Sequence, residues 1–393
     1  MKKSHKIYAI VASFIVMFIM AVTESIRGVL IPTFMIDFNV DDKKIGMLLL
    51  ISTFAYVVGT YIAGVLSRKM NQKQIAILGM IISGSGFLGT SFATTFPHLI
   101  VGYVILTIGI GFIVLGLNTI VPAIKVAYIG IIINLLHFFY GVGATLTQRV
   151  GGYLITAGVN WRHMFIAFAC LYVVGIIIYT FVDQPKKEQH EKSSEKIHSY
   201  EVPIIVLFCI GLGFYVASEM QTLNWLLNYQ VKLFGYTEDQ ASRYVALFFG
   251  MLATGRLIGG YIIEKIGYLK GITIATTLAL FTYCIGLIDE STLVVLSISG
   301  IFFSIVYPTT ILVIQKVFEH NAMRVVSIVT MAASLVNMIS GYVIGYLNVQ
   351  IGIRASYFSI PISLGVALVM FVMIRLEMKR LDKNREEYRK VTV

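Results

Sequence analysis

Long apolar runs separated by short polar breaks fill the chain from end to end. Twelve such runs predict helices at approximately 7–36, 43–66, 74–93, 98–123, 131–157, 161–182, 203–234, 240–263, 269–288, 292–316, 325–349 and 354–376. Each is near the roughly 20 residues a helix needs to cross bilayer hydrocarbon. Ten-residue segments of alternating polarity, the mark of a membrane barrel, do not occur. The first run, after Met1-Lys2-Lys3, is too long for a cleaved leader and lacks a small-residue cleavage site, so it is predicted to remain as the first span. One break is long: residues 183–202 are charged and poor in apolar residues, which predicts a polar linker. It divides an N-terminal six-helix bundle, 1–182, from a C-terminal one, 203–377, and a charged tail, 378–393, extends the last run.

Composition sharpens this picture. Hydrophobic residues make up 57% of the chain and charged ones 13%, against about 25% charge in soluble proteins. The net charge of +11 is not a nucleic-acid footprint, because 22 of the 31 Lys and Arg sit at the termini and in the breaks on the same side. Six sit in the opposite breaks, and Arg27, Arg149 and Arg256 lie inside runs. That asymmetry predicts a cell (inner) membrane protein with the linker and both termini cytoplasmic. Cys170, Cys209 and Cys284 fall within runs, as small core residues. With no phosphate-binding glycine loop, metal-ligand spacing or nucleophile–base pair, neither an enzyme nor a cofactor or metal is expected. The expected partners are a small-molecule substrate, protons and lipid, with no nucleic acid, and the chain is expected to act as a monomer.

The two halves repeat. Gly59-x4-Gly64 recurs as Gly255-x4-Gly260, Lys69 maps on Lys265 at the same offset of 196, and Glu24 maps on Glu219 at 195. Parallel repeats related by an axis along the membrane normal are the plan of major facilitator transporters. The expected fold is therefore all-α, with twelve transmembrane helices in two pseudo-symmetric six-helix bundles.

Glu24 and Glu219 are the two carboxylates deep in the runs. A carboxylate in hydrocarbon costs at least about 2.5–3.5 kcal/mol, so each is expected to face a wet passage or a partner and to exchange protons. Arg27, three residues after Glu24, and Arg149 compete as its charge partner; a permanent ion pair fixing the first helix against the fifth is the structural alternative. On the seventh run Glu219, Thr222 and Trp225 share a helical face, with Asn228 and Tyr229 one turn on. Trp225 there suits stacking on a sugar ring, whereas Trp161 is expected to belong to the interfacial aromatic belt. Asn134, His137, Gln148, Tyr307 and Asn337, together with Tyr215, complete the expected polar lining, although core packing accounts for any one of these taken alone. Arg256, nearer the termini side, is expected to gate. Pro32 and Pro308 loosen the helices that must bend.

After runs 2 and 8, GVLSRKMNQK (Gly64–Lys73) and GYIIEKIGYLK (Gly260–Lys270) resemble the superfamily's cytoplasmic signature of glycine, acid, base, glycine, base. Glu264, Lys265, Gly267 and Lys270 fit it, which implies a gating role for Glu264 and Lys265. In the first copy Arg68, also expected to gate, replaces the acid, and Asn71 the second glycine. Run 5 (Asn134 to Ala144), run 7 (Phe214 to Tyr229), run 8 (Gly255 to Gly260) and run 10 (Ser304 to Thr309) resemble the fucose:proton symporter family, which includes glucose and galactose permeases. The resemblance implies proton-coupled symport of a monosaccharide or similar solute by alternating access; proton-driven export of a drug or metabolite is the alternative. The family's two coupling acids are absent, Gly28 and Asn118 standing nearest their places, so fucose itself is not implied.

Overall fold

The computed structural model describes residues 3–67, 69–124, 129–183, 197–318 and 321–392. Among these, helices account for nearly everything and no strand occurs. The first six are α1 (Lys3–Asp37), α2 (Asp42–Leu66), α3 (Gln72–Ser91), α4 (Phe96–Ala123), α5 (Ile129–Thr156) and α6 (Trp161–Thr180). The last six start with α7 (Val202–Phe234), α8 (Glu238–Ile266) and α9 (Tyr268–Gly286). Then come α10 (Glu290–Val317), α11 (Ala322–Ile351) and α12, which opens as Ile353–Tyr357 and runs on as Ser359–Thr392. Every predicted run has its helix, and the charged tail continues α12 helically. Most of the linker, and Arg68 of the first signature copy, lie outside the described residues.

The breaks are set by local chemistry. Asp41 caps α2 by accepting from the Lys44 N–H at 2.9 Å. Asn71 and Gln74 close a reciprocal capping box at α3, as Thr237 and Gln240 do at α8. The two signature turns differ for the same reason. Gly267 ends α8 and starts α9 by itself, at φ +89°, where only glycine is unstrained. The α2–α3 turn is longer and Asn71 sits at φ −87°, so no glycine is required there.

α10 is not the single helix expected. It is broken into Leu293–Ile298, Gly300–Phe303 and Val306–Val317. Pro308 has no N–H to give the Ser304 carbonyl and its ring crowds that group, which accounts for the lower break.

Between the halves the helices touch most closely on the face away from the termini. A Cβ on Gly46 of α2 would stand 3.1 Å from the Gly341 and Tyr342 carbonyls of α11, and one on Gly345 2.9 Å from the Gly46 Cα. A Cβ on Gly152 of α5 would stand 2.7 Å from the Glu238 carbonyl of α8. Gly64 and Gly260, near the termini face, have open space. The two halves are thus in close backbone contact on the far face.

Trp161 is a correction to the belt assignment. It is 1% exposed, donates to Asp37 at 2.7 Å, and packs edge-on against Phe34 and Phe165.

A side chain at Gly46 is expected to wedge α2 from α11. Gly46→Val should cost about 1–3 kcal/mol, lower the thermal midpoint, and speed labelling of Leu49→Cys from the far face. Unchanged labelling would show that this contact is not part of the seal.

Candidate functional site

The two membrane acids sit at the meeting of the halves. Glu24 on α1 accepts from the Tyr140 hydroxyl of α5 at 3.1 Å. Small residues bring these helices together: a Cβ on Gly143 would meet the Ala21 side chain at 2.9 Å. Next along α5, Gly141 lies against Ala253 of α8, which carries Arg256 one turn further on. Tyr140 therefore stands between Glu24 and Arg256 and lies in the field of both.

Glu219 on α7 is 4% exposed. Its carboxylate lies 2.7 Å from the Tyr215 hydroxyl and 3.7 Å from Arg256 Nη2. The Tyr215 hydroxyl also reaches the Phe303 carbonyl, at the lower break of α10. A phenol has a single proton, and a carbonyl oxygen only accepts. If Tyr215 gives its proton to Phe303, the contact with Glu219 needs a proton from the carboxyl. This is where the site has room for a second proton.

Tyr307 is 38% exposed and, with the half-buried His137, lies in the field of Arg256. Tyr56 on α2 lies within reach of both Glu24 and Tyr307. Helices 1, 2, 5, 7, 8 and 10 thus converge on one cluster holding two acids and, with Arg27, two guanidinium groups. A cavity of about 320 Å³ lies elsewhere, between α7, α11 and α12, bordered by Ser218, Gln221 and Ser359.

Other expected site residues are placed differently. Arg149 does not reach Glu24: it is paired with Asp239 at the start of α8, which also holds Arg243 at 2.7 Å. Arg27 makes no ion pair with Glu24 either, so the expected link from α1 to α5 runs through Tyr140. Asn228 donates to Asp42 of α2 at 2.8 Å, and Lys232 pairs with the same carboxylate at 2.5 Å. Arg149 and Asn228 therefore belong to the far-face closure.

The helical face of α7 expected to line the passage is mostly enclosed. Trp225 is 0% exposed, so no sugar reaches its ring in this state. Thr222 is bonded to Tyr283 at 2.9 Å, and Tyr229 stacks on Tyr357 at 4.3 Å. Gln148 is spent on the Ser25 carbonyl at 2.6 Å, and Asn337 accepts from Gln221 at 2.7 Å. Glu264 is exposed, and Lys265 lies over the Tyr261 ring, so the second signature copy makes no latch among the described residues. The Asn134 side chain lies outside them. Gly28, at the place of a family acid, packs so closely on the Leu223 carbonyl that a Cβ would stand 2.6 Å away.

Tyr140, Tyr56, Asp42 and Asp239 were not singled out in the sequence. Asp42 and Asp239 carried a usable signal: both open a helix after a far-face break, at an offset of 197 close to that of the repeat. Tyr140, one turn after His137 and next to Gly141, carried a weaker one.

Comparison with known proteins agrees with this architecture. The Major Facilitator Superfamily model matches residues 13–320 and 204–392. A glucose/galactose transporter of Brucella abortus is 24% identical over 276 residues, 65% of this chain and 67% of that protein. The multidrug efflux pump SdrM of Staphylococcus aureus is 24% identical over 227 residues, 57% and 49% of the two chains. The L-fucose-proton symporter of Escherichia coli is 22% identical over 339 residues, 74% and 76%. Among solved structures, a bacterial homologue of the human lysosomal transporter Spinster, inward-facing and unoccupied, superposes with a TM-score of 0.80 at 15% identity, covering 97% of this chain and 99% of that one. The chain belongs to the major facilitator superfamily: it is a multi-pass membrane transporter of small molecules.

The hydroxyl geometry makes a ranked expectation. Tyr215→Phe removes a bridge between a carboxyl and a buried carbonyl, and should destabilise by about 1–3 kcal/mol. Tyr140→Phe removes one longer bond and should cost less. Thermal unfolding of the purified variants measures both, and equal shifts would mean that Tyr215 does not bridge.

Proposed function

We propose that this transporter is a secondary one, carrying a monosaccharide or similarly small polar solute together with a proton by alternating access. The observation that carries the reading is the Tyr215 hydroxyl held between Glu219 and the Phe303 carbonyl. It makes Glu219 a carboxyl with a natural place for a transferable proton, on a helix that borders the passage and beside a break in α10. Glu24, joined to Tyr140, is the matching group in the other half. The glucose/galactose and fucose relatives support a sugar-like solute.

In this reading the bundles are 1–182 and 203–377, joined by the linker 183–202, with 378–393 as a tail. The basic residues gathered on the termini side support a cell (inner) membrane location with that side, and both termini, in the cytoplasm. The far-face contacts then correspond to a closed outward side. Return to the outward state requires the Asp42–Lys232 and Arg149–Asp239 pairs to part. Arg256 works as a gate by holding or releasing Glu219.

A second reading, proton-driven efflux, draws on the similarity to the staphylococcal pump and uses the same acids in exchange. The test separates the two. Proteoliposomes given an inward proton gradient should accumulate sugar if the first reading holds, and expel lipophilic cations if the second does. Glu219→Gln should abolish gradient-driven accumulation and leave counterflow intact. Undiminished accumulation would remove Glu219 from proton transfer.

A further inference from the structure

α11 and α12 each pack along α7 but scarcely touch one another, and the gap they leave is the cavity of about 320 Å³. On its termini side the helices close up. A Cβ on Gly213 of α7 would stand 2.9 Å from the Val336 side chain of α11, and one on Gly211 3.1 Å from that of Met370 on α12. The floor is a single face of α7, with Phe214, Ala217, Ser218 and Gln221 at helical spacing. Glu219 follows Ser218 by one residue, so it is turned about 100° away, toward Arg256. The cavity is therefore distinct from the cluster of acids. At its rim Ile339 and Val343 are 54% and 39% exposed, in an apolar stripe that Met331 and Leu335 continue along α11. Such a stripe on a span is the side turned to lipid tails. The mouth of the cavity is thus on the bilayer.

Its lining is apolar apart from four serines and one glutamine, and none of the lining residues is charged. Ser218 and Ser363 turn their hydroxyl protons back on their own helices, to the Phe214 and Ser359 carbonyls at 2.8 Å. Two buried groups are left over. Gln221, 2% exposed, gives its amide N–H to Asn337 at 2.7 Å, and its carbonyl oxygen has no partner. The Ser359 hydroxyl on the α12 wall has none either. A buried polar group without a partner is costly, so an occupant that supplies one is favoured over an occupant that does not. An alkyl tail answers neither group. A hydroxyl suits both, since it can give its proton to Gln221 and accept one from Ser359. Depth excludes charge: Ser359 stands six residues into α12, about 9 Å from its far-face end, where an ionic headgroup has no counter-charge. The volume is at the lower end of small-molecule sites and takes on the order of ten water-sized groups.

We infer that this crevice is a binding site for a neutral, single-chain alcohol of about ten heavy atoms that enters from the bilayer. Its hydroxyl meets Gln221 and Ser359, and its chain lies against Phe214, Val336 and Ile344. The site differs from the acid cluster in chemistry as well as in place. It takes uncharged, largely apolar molecules from lipid, whereas Glu24, Glu219 and Arg256 present charge. All three of its helices belong to the second half, so it does not depend on the symport reading. An occupant lies on the face of α7 behind Glu219, in contact with the helix that bears the acid but not with the acid itself.

The test uses the full chain in lipid nanodiscs and a photoactivatable probe, octanol carrying a diazirine. Labelled peptides identified by mass spectrometry should cluster at 214–221, 336–344 and 359–363. Labelling should saturate with probe concentration and be displaced by 1-octanol but not by n-octane. Ser340→Phe and Ser363→Phe fill the space from opposite walls, and each should abolish the saturable labelling. Ser359→Ala should weaken displacement by 1-octanol about two- to ten-fold, the worth of one hydrogen bond. Thermal midpoints show whether the filled variants fold, and Ser359→Ala, which removes a single oxygen, carries the test if they do not. Labelling spread evenly over the lipid-facing helices, or displaced equally by n-octane, overturns the inference, because the crevice then holds ordinary lipid tails. Saturable labelling that survives both fillers places the alcohol elsewhere and overturns it too. Neither result bears on accumulation by Glu219→Gln, so the symport reading stands or falls separately.

Discussion

A charge within hydrocarbon has to be answered inside the protein, and this requirement organises the centre of the molecule. Two carboxyls, one from each half, meet their answers on helices that small residues allow to come close. Glu24 is met by Tyr140 across the α1–α5 contact, and Glu219 by Tyr215 and Arg256. Because Arg256 sits where α8 passes α5, the surroundings of one acid are continuous with those of the other. A change in the charge of either one is therefore felt on both sides of the interface at which the halves must rock.

Much of the fold was legible in the sequence. Run lengths counted the helices, since each crossing needs a minimum of apolar residues, and paired offsets exposed the duplication. The break in α10 was partly legible through Pro308, although the site of interruption lies one turn earlier, at the carbonyl that the proline leaves without a donor. Inventory was legible too: Arg256 and Tyr215 both stand beside Glu219.

Pairing was not legible. Residue spacing fixes which side chains share a face of one helix, but not how that helix is rotated against its neighbours. Arg149 had the right type and approximate depth for Glu24, yet it lies beside Asp239. Trp225 had the right chemistry for a sugar plate, yet α7 turns it into the wall. Gly28 showed as a missing acid in the sequence and proves to be a contact point, where the α7 backbone passes too close for any side chain. Trp161 was misplaced for a related reason: an indole at a helix start suits the lipid boundary equally well as a general rule, and only Asp37 and the surrounding phenylalanines decide for the interior.

The far-face closure has two parts of unlike physics. Where α2 crosses α11, glycine backbone rests on glycine backbone, a dry contact with no charge to screen. Around it stand ion pairs whose basic partners, Lys232 and Arg149, are 35% and 42% exposed. Counter-ions weaken such pairs within a Debye length of about 8 Å at physiological ionic strength, and leave packing untouched. Salt at that face therefore acts on the ion pairs and not on the glycine contact. A brackish solution at that face loosens the rim while the glycine seat stays packed, which sets the ease of opening apart from the strength of the bundle.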